Sequence, residues 1–131
     1  MSQAIVLFGH GARNAEYVEP FRRIRAAMLA RAPQAQVEIG FLELSQPTLE
    51  DALASLTAQG ARHIRIVPIF FAPGRHILKD LPERVAAALE RDTGLAIEIA
   101  DAVGMVPAVI EAMAEYALSA PDNAAPRPVV R

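Results

Sequence analysis

The chain has no cysteine and only three histidines among its 131 residues. Without cysteine there can be no disulfide, thiolate zinc site, iron–sulfur cluster or cysteine nucleophile. Net charge is also scarce. Thirteen Lys and Arg stand against 15 Asp and Glu, a formal charge of −2, so no basic field argues for nucleic acid as a partner. Aromatic residues make up only 5% of a chain that is 53% hydrophobic. Such a core is aliphatic and alanine-rich, which suits helices packed on a sheet. No apolar run approaches the roughly 20 residues that a membrane span needs. No cationic segment precedes the first short apolar run, so no signal peptide is expected. The expectation is a cytoplasmic protein with neither a membrane nor a nucleic-acid partner.

What is present is an alternation of strand-like and helix-like segments. Residues 4–8 are entirely apolar, as in a strand buried on both faces. A helix is expected over roughly 15–32, with Tyr17, Phe21, Ile24 and Met28 on one face. Pro20 allows its regular part to begin near Glu19. A second strand covers 36–42, and Pro47 is expected to open the next helix, whose stripe is Leu49, Ala52, Leu53 and Leu56. Gly60 fits a C-terminal cap. The third strand is expected over 63–71, with Pro68 marking a bulge or an open edge. Asp80 and Glu83 have the spacing of a capping box and are expected to start the third helix. A fourth strand covers 95–100, and a last helix carries Val106, Val109, Ile110, Met113 and Ala117. This order predicts an α/β fold in three layers, a four-stranded, mostly parallel sheet with helices on both faces. One domain is expected over 1–118, followed by a proline-rich, disordered tail over 119–131.

Folds of this class bind ligands beyond the carboxyl ends of their strands, near a switch in strand order. That rule gives meaning to three ionisable residues. His10, between Gly9 and Gly11, follows the first strand; Glu43 follows the second; His76, after Gly74 and Arg75, follows the third. Two imidazoles and a carboxylate suit borderline divalent metals such as iron, cobalt, nickel or zinc. An unperturbed histidine has a pKa of about 6.5, so near neutrality it is mostly the free base, able to ligate a metal or accept a proton. A lone histidine in a turn is more often simply solvated, and the case rests on the pairing. Glu43 taken alone reads equally well as a solvated charge. His63, at the start of a strand, is expected at the surface. Arg13, Arg75 and Lys79 lie near the two histidines and could hold carboxylates of an acidic ligand, or be solvated surface cations. Ser45 and Gln46 could add polar contacts, but capping the helix at Pro47 is their more ordinary role. The glycine turn lacks the remaining residues of a phosphate loop or a dinucleotide fingerprint, so no nucleotide is expected.

Three stretches together resemble the short class II tetrapyrrole chelatases of the CbiX/SirB kind. They are Leu7-Phe8-Gly9-His10-Gly11-Ala12-Arg13, Gly40-Phe41-Leu42-Glu43-Leu44-Ser45-Gln46-Pro47-Thr48-Leu49, and Val67 through His76 continuing to Asp80-Leu81-Pro82. Ala12 departs from the serine common there. The resemblance implies half of the two-lobed, flavodoxin-like chelatase fold, and therefore a homodimer. It also implies insertion of Co2+, Ni2+ or Fe2+ as substrate into sirohydrochlorin or a related acidic tetrapyrrole. His10, His76 and Glu43 would then handle the metal and protons. Gly9, Gly11, Arg13, Ser45, Gly74, Arg75 and Lys79 would line the macrocycle site. Two other readings compete. One is a metal-delivery protein using the same histidines. The other is a histidine phosphatase, which usually needs arginine where Gly9 stands.

Overall fold

The computed structural model describes residues 3–119; the expected proline-rich tail lies, from residue 120 onward, outside the described residues. Four strands alternate with four α-helices. They are β1 (Ala4–Gly9), α1 (Glu19–Arg31), β2 (Gln36–Phe41), α2 (Leu49–Ala58), β3 (His63–Pro68), α3 (Arg75–Arg91), β4 (Ala96–Ile99) and α4 (Pro107–Leu118). Short 3-10 turns at Ala15–Val18 and Val103–Met105 lead into α1 and α4.

The sheet order is β2-β1-β3-β4 and every pairing is parallel. β1 lies at the centre of the order reversal, with β2 on one side and β3 on the other. All six of its residues are buried, which its unbroken apolar run requires. Alternate residues of β1 feed two cores. Val6 and Phe8 pack with Leu49, Leu53 and Leu56 of α2 and Ile77, Leu81 and Val85 of α3. Ile5 and Leu7 pack with Phe21 of α1, Val37 and Phe41, flanked by Tyr17, Ile24 and Met28. Helices therefore cover both faces, as the α/β reading expected. α4 is the least covered element. It has no buried residue, and it borders the α1 side through Val109 and Met113 near Ile69 and Phe71. No helix among the described residues is long and apolar enough to cross a membrane.

Several boundaries differ from the sequence expectation. The first helical segment is not among them: it begins as a 3-10 turn and its regular part starts at Glu19, as expected from Pro20. Pro47 does not open α2. Thr48 does, its side chain accepting from the Asp51 amide at 3.1 Å while Asp51 accepts from the Thr48 amide at 3.4 Å. β3 ends at Pro68 rather than at 71, because proline lacks the donor to continue the ladder. α3 starts at Arg75, five residues before Asp80, and carries Pro82 inside it. The start is set by burial. Ile77, Leu81 and Val85 recur every fourth residue on the core face, and the helix must run through all three to bury them. Gly60 does close α2. With φ +96°, it donates to Thr57, and Ala61 donates to Leu56 at 3.0 Å, a Schellman arrangement.

Candidate functional site

The carboxyl ends of β1, β2 and β3 carry the candidate residues. His10 follows β1 directly, and its segment is stitched to the one leaving β2. Leu42 donates to the Gly9 carbonyl at 3.0 Å, and Glu43 donates to the His10 carbonyl at 3.1 Å. Two further devices fix this junction. Gly11 adopts φ +102°, and a Cβ there would stand 1.6 Å from the Glu43 carbonyl oxygen, so only glycine allows the two segments to meet. Ser45 is buried, and its hydroxyl accepts from the Ala12 amide at 3.0 Å and donates to the Ala12 carbonyl at 2.9 Å. Ser45 is thus a clamp between two loops rather than a helix cap, and neither it nor Gln46 caps α2. Gly9 is glycine for a different reason: a Cβ would collide with the Phe21 ring at 2.4 Å.

The result places His10 Nε2 3.9 Å from Glu43 Oε2, both side chains about half exposed. That distance is too long for a hydrogen bond. It is within the span of two donors on one ion, whose bonds run roughly 2.0–2.2 Å each. His76 sits in the first turn of α3 rather than in a free turn. Its Nε2 lies 2.9 Å from Asp80 Oδ2, one helical turn on. Asp80 therefore orients the imidazole and does not cap a helix. The sequence signal was the i, i+4 spacing of His76 and Asp80. No group of three His, Asp or Glu residues forms a metal cage among the described residues, so His10, Glu43 and His76 are not gathered into one ligand set. Two pairs stand instead at the ends of the neighbouring strands β1 and β3, His10 with Glu43 and His76 with Asp80.

Around these pairs the surface is apolar at its rim. Leu44, Phe71, Leu78 and Met105 are 58–74% exposed, and each lies on a segment beyond a strand's carboxyl end. Arg13, Arg75 and Lys79 are exposed beside them, and none forms a salt bridge among the described residues. Gly74 has ordinary backbone angles and open space around the position of a Cβ. A cavity of about 480 Å3 lies next to this region, between the start of α3 and the segment leaving β4, lined by Phe70, Pro73, Ile77, Leu78 and Met105 among others. His63 is exposed at the opposite end of β3.

The CbiX family model matches residues 4–120. The chain belongs to the CbiX family. It is 30% identical over 113 residues to the sirohydrochlorin ferrochelatase of Bacillus subtilis strain 168, covering 86% of this chain and 43% of that protein. It is 32% identical over 111 residues to the sirohydrochlorin cobaltochelatase of Sulfurisphaera tokodaii, covering 85% and 88%. Among solved structures, the sirohydrochlorin chelatase SirB of Bacillus subtilis subspecies spizizenii in complex with cobalt superposes with a TM-score of 0.74 at 31% identity, over 88% of this chain and 49% of that one. This CbiX-family chain spans about half the length of several of the curated relatives it matches.

Proposed function

We propose that this CbiX-family protein inserts a divalent metal ion, Co2+, Ni2+ or Fe2+, into sirohydrochlorin or a closely related acidic tetrapyrrole. One observation carries the reading: an imidazole–carboxylate pair and a second, carboxylate-held imidazole stand at the switch in strand order, inside an exposed apolar rim edged by cations. A flat macrocycle with carboxylates on its periphery matches such a surface, apolar towards Leu44, Phe71, Leu78 and Met105 and acidic towards Arg13, Arg75 and Lys79. The names of the relatives, iron and cobalt chelatases of sirohydrochlorin, agree with it.

The reaction exchanges two pyrrole N–H protons for one M2+, so two protons must leave as the metal enters. His10 and Glu43 face the incoming ion and offset its charge, supplying two of its ligands until ring nitrogens replace them. His76, oriented by Asp80 as a general base is oriented in a triad, takes up a pyrrole proton. Glu43 receives or relays the other as the ion leaves it. Gly74, with open space where a Cβ would stand, keeps the backbone low where the ring approaches. A second copy of the chain closes over the macrocycle, in place of the further length present in the Bacillus subtilis relative.

An insertion assay tests this. Sirohydrochlorin is mixed with each metal and its absorption spectrum followed. Wild-type protein is expected to accelerate the spectral change. His10→Ala and His76→Ala should each lose at least about a hundredfold, the typical contribution of a positioned acid–base group. Glu43→Gln should lose less. A metal-delivery protein would bind cobalt yet leave the spectrum changing at the background rate, and that result would reject the proposal.

A further inference from the structure

Arg84, on the third turn of α3, belongs to neither histidine pair, yet its guanidinium is tied to the segment that bears Glu43. Its Nε donates to Glu50 Oε2 at 2.7 Å and its Nη2 to Glu50 Oε1, a bidentate grip on α2. Its Nη1 donates to the Leu42 carbonyl at 3.0 Å. Leu42 is buried and immediately precedes Glu43. The side chain of Arg84 is only 25% exposed, and its fork is held by three bonds to two partners, Glu50 and the Leu42 carbonyl.

The segment it grips is under backbone strain. Leu44 has φ +64°, the left-handed region that a branched side chain avoids, and Ser45 donates across it to the Glu43 carbonyl at 2.7 Å. Such a turn persists only when its surroundings over-determine it. Downstream, Ser45 is fixed by both of its bonds to Ala12. Upstream, the only side chain on the backbone of Leu42 or Glu43 among the described residues is that of Arg84. The Glu50 hydrogen bond, and more weakly the charges of Glu50, Asp80 and Glu43, hold the guanidinium's pKa above its ordinary value although partial burial opposes this.

We infer that Arg84 is a positioning residue: by holding the Leu42 carbonyl, with Glu50 aligning its fork, it sets where the Glu43 carboxylate stands relative to His10. This rests on the reading of Glu43 as a metal- and proton-handling group. A strap that merely joined α2 to α3 would serve fold stability alone.

The test uses Arg84→Met, which keeps the aliphatic stem, and Arg84→Lys, which keeps the charge but not the three-point fork. Backbone amide exchange at Glu43 and Ser45, followed by NMR in the full chain, should quicken severalfold in both variants, while the amides of α2 and α3 keep their protection. In cobalt insertion, kcat should fall roughly tenfold or more, as small misplacements of reacting groups do, with KM for sirohydrochlorin unchanged. Arg84→Met combined with Glu43→Gln should be no slower than Glu43→Gln alone. Unchanged exchange at Glu43 and Ser45, or losses that multiply in the double variant, would overturn the inference. A wild-type protein that inserts no cobalt would sink the chelatase reading instead. The exchange measurement would still decide whether Arg84 fixes the segment.

Discussion

Gly11 and Gly74 flank the two histidine segments, and the structure gives them opposite roles. At Gly11 the backbone is left-handed and a Cβ would overlap the Glu43 carbonyl. Gly11→Ala must therefore push the His10 and Glu43 segments apart, with a cost of roughly 1–3 kcal/mol for the strained angle, before the clash is added. At Gly74 a Cβ meets nothing within 4 Å. Gly74→Ala should leave the unfolding free energy in urea within about 0.5 kcal/mol of wild type. If the macrocycle passes over Gly74, the same variant should still raise KM for sirohydrochlorin. An unchanged KM would remove that residue from the binding surface. At this scale the sequence was informative about which residues stand beyond the strand ends, because an apolar run followed by a glycine turn locates a strand's exit. It was blind to Ser45 as a clamp. A serine before a helix reads as a cap, and only the folded proximity of two loops 33 residues apart reveals the other role.

Helices α2 and α3 show how local signals are overruled. Pro47 and the Asp80–Glu83 pair each carry the marks of a helix start, yet α2 begins at Leu49 and α3 at Arg75. Thr48 offered a better box with Asp51, and the need to bury Ile77 drew α3 back past Asp80 despite Pro82. The two helices are then joined by Arg84 and Glu50. The Arg84 fork holds the Glu50 carboxyl below the ordinary carboxylate range, although partial burial opposes this. A folded-state pKa below the unfolded one adds stability above the unfolded value, and that stability fades as the pH falls through the lowered value. Wild type should therefore exceed Glu50→Gln in urea stability at pH 7, and the gap should shrink as the pH drops from about 5 towards 3. Because the Glu50 side chain is 46% exposed, solvent screening limits the gap to about 1 kcal/mol. A gap that is constant with pH would show that the pair adds nothing through charge.

For the whole molecule, the alternation of strand and helix was enough to read the α/β class and the coverage of both sheet faces, since period and order survive without knowledge of partners. What no single chain displays is its own completion. α4 buries none of its residues, Ile110, Tyr116 and Leu118 are 44%, 77% and 87% exposed, and the apolar rim at the strand ends is open. Large apolar side chains left exposed in this number are candidates for an interaction surface. The Bacillus subtilis relative carries about twice this length of chain, which makes a second copy the proposed occupant. Sedimentation at micromolar concentration should then give a particle of twice the 14.1 kDa chain. Charge introduced on α4 as Ile110→Asp should shift it towards monomer. Insertion activity per chain should fall in step with the dimer fraction on dilution, because a macrocycle held by one copy stays open to water on its other face. A wild-type protein that sediments as a monomer yet inserts metal at full rate would show that one copy suffices, and the open rim would then be the whole of the site.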